Sequence, residues 1–343
     1  MTTILATIFV FGLLVFVHEL GHFITAKATG MRVDEFAIGF GPELYQVREG
    51  ETLYSLRLIP LGGYNKIAGM DPDEPNLDER AFIYRSVPAR LLVIAAGSVM
   101  NFLLPILLFF IVFLSSGVDK PATEPILGMV LANQPAAVAG LAPGDKILAI
   151  DGVETTDWMS IVAALRPRAN QPTAIVAERE NRQFTVEVTP TLDSRGERGV
   201  IGIIPKLVKE YPGFFESIKL SVQQVFYVTG AMLNQLGQMF TGKVDPEVSG
   251  PIGVAQMAGQ VAKQGIIPLV QFAAFLSLNL GLINLLPIPA LDGGHIVTIL
   301  IEGVRGKPLT GKQLQWIQMV GIALLLMLLV FATASDLGRL KLW

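Results

Sequence analysis

Two histidines and a glutamate, His18, Glu19 and His22, lie in an otherwise apolar run near the start of the chain, VFVHELGHFITAK. They form an H-E-x-x-H pattern, and residues four apart share one face of a helix, so both imidazoles can bind one metal ion. Glu19 lies about 100° further round the helix, where it flanks the metal and suits a general base acting on water. Because ionisable groups inside a membrane segment are usually functional, we expect a metal site rather than two structural histidines beside a paired glutamate.

A third ligand must come from elsewhere, because a catalytic zinc ion usually has three protein ligands and one open position. The chain has three histidines and no cysteine, and the candidates are Asp292 and His295, in the stretch NLLPIPALDGGH. An aspartate brings a negative charge that offsets Zn²⁺ at low dielectric constant, whereas a histidine is softer and neutral. We expect Asp292 to be the ligand, with His295 as its rival and an ordinary Asp-Gly-Gly turn as the alternative.

Apolar stretches long enough to hold these residues in a membrane recur along the chain. Hydrophobic residues make up 51% of it and charged residues only 16%, whereas a soluble domain is about 25% charged. A bilayer is crossed by about 20 apolar residues. We therefore expect a polytopic α-helical membrane protein with four transmembrane helices, over residues 1–27, 90–117, 266–295 and 314–336, and a loop at 296–313.

The depth of these residues in the membrane tests the proposed ligand set. His18 lies about 21 Å along the first span, past the middle of an apolar core about 30 Å thick. The third span runs in the same direction as the first, so its far end reaches the same depth. Pro287 and Pro289 break that helix just before Asp292, and broken backbone is tolerated where it lines a cavity. We expect a loop to deliver Asp292 to the histidines.

Polar segments between the spans predict two further structural parts. Residues 28–89 form a cytoplasmic-side loop with a membrane-associated β-hairpin that turns at Glu49-Gly50-Glu51, and Pro60 suggests a bend or an edge in its second strand. Residues 122–206 read as a small α+β domain. Residues 207–265 read as amphipathic helices lying on the membrane surface, because polar side chains follow one stripe at helical spacing. That stripe comprises Glu216, Lys219, Gln223, Tyr227, Asn234 and Gln238.

The two metal motifs together, HELGH at 18–22 and NLLPIPALDGG at 284–294, resemble those of the site-2 protease family of intramembrane zinc metalloproteases. The bacterial regulator-of-sigma-E protease branch is the most similar, and AAGSVMNF at 95–102 and SGPIG at 249–253 resemble it as well. The resemblance implies a zinc metalloendopeptidase of regulated intramembrane proteolysis. Such an enzyme hydrolyses a peptide bond within a transmembrane segment of another protein, here an anti-sigma factor or a remnant signal peptide.

A third motif concerns the α+β domain. The stretch AGLAPGDKILAIDGV at 139–153 resembles the core of bacterial PDZ domains, which implies one PDZ-like domain at 122–206. An odd number of membrane crossings separates it from the metal motifs, so it lies on the opposite side of the membrane. It could exclude bulky ectodomains, or bind a peptide or a newly exposed C-terminus.

Cleavage of a transmembrane helix requires that the substrate unwind first, and an edge strand can hold an unwound segment by main-chain pairing. The candidate edge residues are Ser55, Leu56, Gly62 and Gly63, with an ordinary hairpin as the alternative. The side chains of two asparagines are further candidates for substrate binding, with contacts between helices as the alternative. These are Asn101 and Asn284.

Two rival functions use only part of these features. A metal transporter would also bury histidine and aspartate in its spans, and a non-proteolytic PDZ membrane scaffold would leave the zinc pattern unused. The net charge of −3 gives no sign of nucleic-acid binding. The balance of Lys and Arg between loops favours an active site toward the cytoplasmic side of the cell inner membrane, with the PDZ-like domain and both termini outside.

Overall fold

The computed structural model describes residues 1–71, 74, 77–193, 198–244 and 249–339. The chain forms two compact units. The first contains residues 1–115 together with those from Gly213 onward, and the second contains Ser116–Pro212.

Four helices in the described residues of the first unit are long and apolar enough to cross a membrane. They are α1 (Thr2–Ala28), α2 (Val87–Ser116), α7 (Ile266–Asn284) and α9 (Gly311–Arg339). Each coincides with one of the four expected spans, so the polytopic helical class is confirmed. The third helix is shorter than expected, because it ends at Asn284 and not at His295.

Three further helices belong to this unit: α5 (Phe214–Phe240), α6 (Pro251–Gln264) and α8 (Asp292–Arg305). The expected loop at 296–313 is wrong, because α8 occupies most of it. Its buried residues Gly294, Thr298 and Glu302 recur four apart, which gives the helix one face to pack. By length and composition α5 is not among the helices that could span a membrane, and its place on the membrane surface stays a prediction.

An ion pair attaches α8 to the start of α2. The Nη1 atom of Arg90 lies 2.7 Å from Oε2 of Glu302, and both side chains are buried. The other Glu302 oxygen, Oε1, accepts a hydrogen bond from the backbone N–H of Leu309 at 2.8 Å. The far end of α8 is therefore fixed to the helix that passes the metal motif.

The start of α6 is held by a carboxylate from α9. The buried Asp336 accepts hydrogen bonds from the backbone N–H groups of Gly250, at 3.0 Å, and Gly253, at 2.8 Å. A β carbon at these glycines would lie only 2.6 and 2.7 Å from the Asp336 oxygens. The SGPIG stretch thus lets a carboxylate reach the N-terminal amides of the helix, where it is favoured electrostatically.

Replacing Asp336 with alanine should lower the stability of the protein, because two N–H groups of α6 would lose their acceptor. We expect a loss of about 1–3 kcal/mol, measured by thermal unfolding of the protein in detergent. Asp336→Asn keeps one side-chain oxygen as an acceptor and is the matched control. An Asp336→Ala protein as stable as the wild type would contradict the capping role.

The loop between α1 and α2 contains a long, bent hairpin of β1 (Val33–Glu49) and β2 (Thr52–Ile67), followed by a 3₁₀ turn at Phe82–Tyr84. The expected turn at Gly50 is confirmed. Both strands bend, so the sheet has four segments in the order 43–49, 52–57, 33–38 and 63–67. The last segment packs beside α1, and Ile67 joins a core cluster with Ala26 and Val93.

The second unit is an α+β unit, which confirms that part of the predicted architecture. Its core holds buried apolar side chains from several strands and from the helix Trp158–Leu165, including Ile147, Ile161 and Ile175. Its helices are α3 (Pro135–Val138) and α4 (Trp158–Leu165). Its strands are β3 (Val118–Pro121), β4 (Leu127–Val130), β5 (Lys146–Ile150), β6 (Val153–Glu154), β7 (Thr173–Arg179), β8 (Arg182–Val188), β9 (Thr191–Leu192), β10 (Gly199–Val200), β11 (Ile203–Pro205) and β12 (Leu207–Glu210).

The expected bounds of this unit, 122–206, are too narrow. Strand β3 precedes them and pairs with β12, which follows them and lies in the segment 207–265 that the sequence predicts to be surface helices. These two strands close the unit at its chain ends. Their pairing is non-local, and the short apolar runs that form them do not reveal it.

Candidate metal centre

The two histidines of the first motif lie one turn apart on α1, and both are buried. Their rings meet edge to face, with the Nε2 atoms of His18 and His22 3.2 Å apart. The helical spacing of four residues places both imidazoles on one side of α1, as the sequence predicts.

A hydrogen bond to the backbone of α2 orients the His22 ring. Its Nδ1 lies 2.8 Å from the backbone carbonyl oxygen of Val93. A carbonyl only accepts, so Nδ1 carries the proton, and the lone pair of the ring is on Nε2. That lone pair is directed toward His18 and is available to a metal ion.

The His18 ring meets Asn101. Its Nδ1 lies 3.0 Å from the side-chain Nδ2 of Asn101, while Oδ1 of the same amide is buried and has no hydrogen-bond partner within the described part of the chain. The two ends of an amide exchange by a 180° rotation, after which Oδ1 accepts a hydrogen bond from Nδ1–H and the lone pair of His18 is left on Nε2. The prediction that Asn101 binds substrate is wrong, because its side chain is fully buried against His18.

The third candidate ligand enters from the start of α8. Asp292 is the first residue of that helix, so its carboxylate is placed by a helix terminus and not, as expected, by a loop. Its Oδ2 lies 3.5 Å from Nε2 of His18, and its Oδ1 lies 3.6 Å from Nε2 of His22. The hydroxyl of Ser98 on α2 donates to Oδ2 at 3.2 Å. The structure thus brings Asp292 to the depth of the histidines.

These three side chains fit a zinc ion. Two ligand atoms each about 2.0–2.1 Å from a tetrahedral zinc ion lie about 3.3 Å apart. The two imidazole Nε2 atoms are 3.2 Å apart, and each lies near a different Asp292 oxygen, Oδ2 at 3.5 Å from His18 and Oδ1 at 3.6 Å from His22, so these separations are close to that value. Two imidazole lone pairs and a carboxylate facing one another repel, and a cation between them removes the repulsion. Within the described residues, His18, His22 and Asp292 form the group that could hold a metal ion.

Gly97 on α2 leaves room for the two imidazoles. A β carbon there would overlap the rings of His22 and His18. Two rings that are to hold one metal ion cannot move aside as a flexible side chain can. Gly97 is therefore required by this close approach and not by its backbone conformation.

Gly97→Ala should displace the imidazoles and weaken zinc binding by at least the roughly 10- to 100-fold that follows loss of an outer-shell partner. Competition with a fluorescent zinc chelator measures the affinity. Gly230→Ala is the matched control, because Gly230 also lies in a helix but has nothing within 4 Å of the added carbon. Unchanged zinc affinity in Gly97→Ala would contradict this packing.

Beside the three ligands lies a cavity of about 420 Å³. Glu19 lines it one residue beyond His18, on the side of α1 that faces the sheet. The other lining residues are Tyr64, Asn65, Ile67, Met70, Ile94, Asn284, Ala290, Leu291 and His295, together with the three ligands. The general base expected from the sequence therefore faces a space next to the metal site that is large enough for a segment of substrate chain.

The two remaining candidates from the second motif also line this cavity. The Nδ2 of Asn284 lies 3.5 Å from Nε2 of His18, so its amide is beside the metal site. His295 lies one turn after Asp292 on α8, within the cavity but outside the group of three that could share an ion.

Tyr64 lines the same cavity from the sheet. Burial, together with the neighbouring Glu35 carboxylate, raises the pKa of Tyr64 to about 12. The opposite holds for Glu35: burial raises its pKa, but hydrogen bonds from Arg57, Ser55 and Tyr64 outweigh burial and keep the pKa below its ordinary value. At neutral pH the phenol therefore stays protonated, and it lies beside an ionised carboxylate.

The sheet register decides between the candidate edge residues. Ser55 pairs with both Ala37 and Gln46, and Leu56 pairs with both Ile38 and Tyr45. The prediction that Ser55 and Leu56 lie on an open edge is wrong, because their segment has a neighbour on each side.

Gly62 and Gly63 lie at the other end of the order, where segment 63–67 pairs with 33–38 on one side. A β carbon on Gly62 would overlap the Phe40 ring. One on Gly63 would lie 2.7 Å from the Ala37 carbonyl oxygen and 3.2 Å from Cγ of Glu19. Both glycines therefore permit close approach, and Gly63 brings this segment against the general base.

Several residues of this centre were not expected from the sequence. Gly97, Ser98 and the Val93 carbonyl all come from α2, and Asn65 comes from the sheet. The small residues of AAGSVMNF signal a close helix contact, but no pattern in the sequence shows which helix they meet.

The second unit has a cavity of its own, of about 450 Å³. It lies between α4 and the stretch from Gly199 to Ile203. Apolar side chains, including Trp158, Ile161 and Leu165, form much of its lining, and Arg166 and Arg198 contribute cationic groups. A groove with apolar walls and nearby cations is suited to an extended peptide.

Nearly the whole chain is similar to known zinc metalloproteases. The model of peptidase family M50 matches residues 6–328. The regulator of sigma-W protease RasP of Bacillus subtilis is 32% identical over an alignment 418 positions long, which covers 98% of this chain and 99% of the relative. The zinc metalloprotease RasP of Geobacillus kaustophilus is 33% identical, with 98% of each chain covered.

A similarity to solved structures involves a smaller part of the chain. The PDZ domain of the SdrC-like protein from Listeria monocytogenes is 24% identical, with a TM-score of 0.22. The match covers 26% of this chain and 94% of that domain.

Proposed function

The chain belongs to peptidase family M50, and on that premise we propose that it hydrolyses a peptide bond within a transmembrane segment of another membrane protein. It is a multi-pass intramembrane zinc metalloprotease of regulated intramembrane proteolysis. The substrates we propose are anti-sigma factors or remnant signal peptides. The observation that carries the proposal is the convergence of His18, His22 and Asp292 beside a cavity that Glu19 lines.

The roles of the side chains follow from their places in this cavity. His18, His22 and Asp292 would hold Zn²⁺, which supplies Lewis-acid polarisation of the scissile carbonyl. Glu19 takes a proton from water as that water attacks the carbonyl carbon, and it returns the proton to the amine that leaves. One water is consumed, and the products are a carboxylate and an amine. The Asn284 amide, beside His18, is placed to donate to the substrate backbone.

Substrate would reach the site along the sheet. A transmembrane helix satisfies its own peptide groups, so it must unwind before a carbonyl is accessible. Segment 63–67 pairs with 33–38 on one side and passes Glu19, and an unwound substrate can add to its other side by main-chain pairing. In this proposal Gly62 and Gly63 contribute to substrate binding by letting their segment lie close to Phe40 and Glu19, whereas Ser55 and Leu56 have no such role.

The second unit contributes a separate binding surface. We propose that it acts as a PDZ-like domain whose groove beside α4 binds a peptide or a C-terminus, with Arg166 and Arg198 near a carboxylate. The proposed orientation has the metal centre toward the cytoplasmic side of the cell inner membrane, with this unit and both termini outside.

The proposal is tested with the purified full-length protein in detergent and a model transmembrane substrate. We expect cleavage that a zinc chelator abolishes and added zinc restores. A metal transporter would instead move zinc into sealed liposomes without cutting the substrate, and a scaffold would purify without zinc. Undiminished cleavage by zinc-depleted protein, or zinc uptake without cleavage, would overturn the proposal.

A further inference from the structure

The amide of Asn65 joins the sheet to the glutamate beside the metal site. Its Nδ2 donates to the backbone carbonyl oxygen of Glu19 and to the carboxylate Oε2 of Glu19, both at 2.7 Å. Because both acceptors belong to one residue, a single amide ties the carboxylate to the turn of α1 that carries it. The side-chain torsions of Glu19 are thereby restrained.

The register of β2 explains why position 65 meets Glu19. Side chains alternate between the two faces of a strand, and Gly63, Asn65 and Ile67 all face α1. A β carbon on Gly63 would lie 3.5 Å from Cγ1 of Val15, and Ile67 packs in the cluster that contains Ala26. The segment thus runs along α1, and Asn65 is its polar residue at the level of the metal site.

Packing alone does not account for an asparagine here. The Oδ1 atom of Asn65 is buried and has no hydrogen-bond partner within the described part of the chain. A buried polar atom without a partner is unfavourable, and an apolar side chain of similar size would avoid it. An amide at this position therefore points to a use for its N–H group, and the use that the structure offers is the hydrogen bond to the Glu19 carboxylate.

We propose that Asn65 is a positioning residue for Glu19. By holding Oε2, it leaves Oε1 as the oxygen that takes the proton from water and gives it to the leaving amine. The inference deepens the proposed function, on which it rests, and adds a link between the strand that would hold substrate and the group that acts on it.

The kinetic test compares Asn65→Leu with the wild type on a model transmembrane substrate. We expect kcat to fall about 10- to 100-fold, KM to stay within about twofold, and zinc content to be unchanged. Asn65→Ser keeps a donor and should recover part of kcat. Asn234→Leu makes the same kind of change at an exposed position of α5, away from the metal site, so it is the matched control and should cleave normally.

A second test measures the proximity of residues 19 and 65 and does not depend on enzyme activity. The chain has no cysteine, so a pair of cysteines can be introduced without competing thiols. The protein is then treated in membranes with a short thiol cross-linker. We expect Glu19→Cys with Asn65→Cys to cross-link and Glu19→Cys with Lys66→Cys to remain open.

The outcomes separate this inference from the proposed function. Normal kcat in Asn65→Leu, a rise in KM alone, or loss of zinc would each overturn a positioning role. Failure of the 19–65 pair to cross-link would overturn the geometry itself. If the zinc-loaded wild type does not cleave at all, the proposed function fails, and the cross-linking result still decides whether the Asn65 contact exists.

Discussion

Replacing Glu19 with glutamine should lower the cleavage rate by about 10²- to 10⁴-fold while the protein keeps its zinc. Glutamine has nearly the same shape, but its amide cannot take a proton from water. The three ligand side chains belong to other residues, and their separations of 3.2–3.6 Å do not depend on the Glu19 charge. The loss should therefore appear in kcat and not in metal binding.

The experiment measures product formation by mass spectrometry and zinc content by atomic emission on the same preparations. Glu216→Gln is a matched control, because it makes the same change in α5, away from the metal site. It should retain full activity. A Glu19→Gln protein that cleaves at the wild-type rate would exclude Glu19 as the base, and one that loses its zinc would show that Glu19 contributes to the metal site itself.

Replacing Asp292 with alanine should have the largest effect on metal binding. It removes the only anionic ligand of the described group, and the two imidazoles left cannot complete a zinc site. We expect the zinc affinity to fall by more than the roughly 10- to 100-fold that loss of an outer-shell partner causes. Cleavage should be lost with the zinc.

His295→Ala is the decisive comparison, because His295 is the rival ligand and lies one turn away on the same helix. We expect this protein to keep its zinc, and isothermal titration of the metal-free proteins measures both affinities. The assignment of the third ligand would be reversed if His295→Ala lost zinc and Asp292→Ala retained it.

Helix periodicity and membrane depth predict which residues meet at the metal site, but not that the helix α8 carries Asp292. The spacing of His18 and His22 fixes their common face of α1, and the parallel course of the first and third spans brings Asp292 to their level. The four spans follow equally directly, because about 20 apolar residues in a row have few other structures open to them.

What the sequence did not reveal depends on contacts between distant segments. Pro287 and Pro289 correctly signal the end of α7, but no local pattern shows that a new helix, α8, begins at Asp292. The sheet was harder still, since two bent strands make four segments, and only their order shows that Ser55 is central. A sequence pattern predicts that a segment forms a strand, but it does not show which strands lie on either side of it.

The same limit explains the revised role of Asn101. An asparagine in a membrane helix has several uses, and the sequence does not distinguish a substrate contact from a contact with a ligand. The structure places its amide against Nδ1 of His18, where it orients the ring. The groups on α2 that contact the ligands, such as Ser98 and Asn101, are defined by the packing of α1 against α2.

The most direct measurement of the metal centre is an anomalous difference map, collected at the zinc absorption edge from crystals of active protein. We predict one peak within bonding distance, about 2.0–2.2 Å, of Nε2 of His18, Nε2 of His22 and a carboxylate oxygen of Asp292. A peak bound by His295 in place of Asp292, or no peak there in protein that cleaves its substrate, would contradict the account.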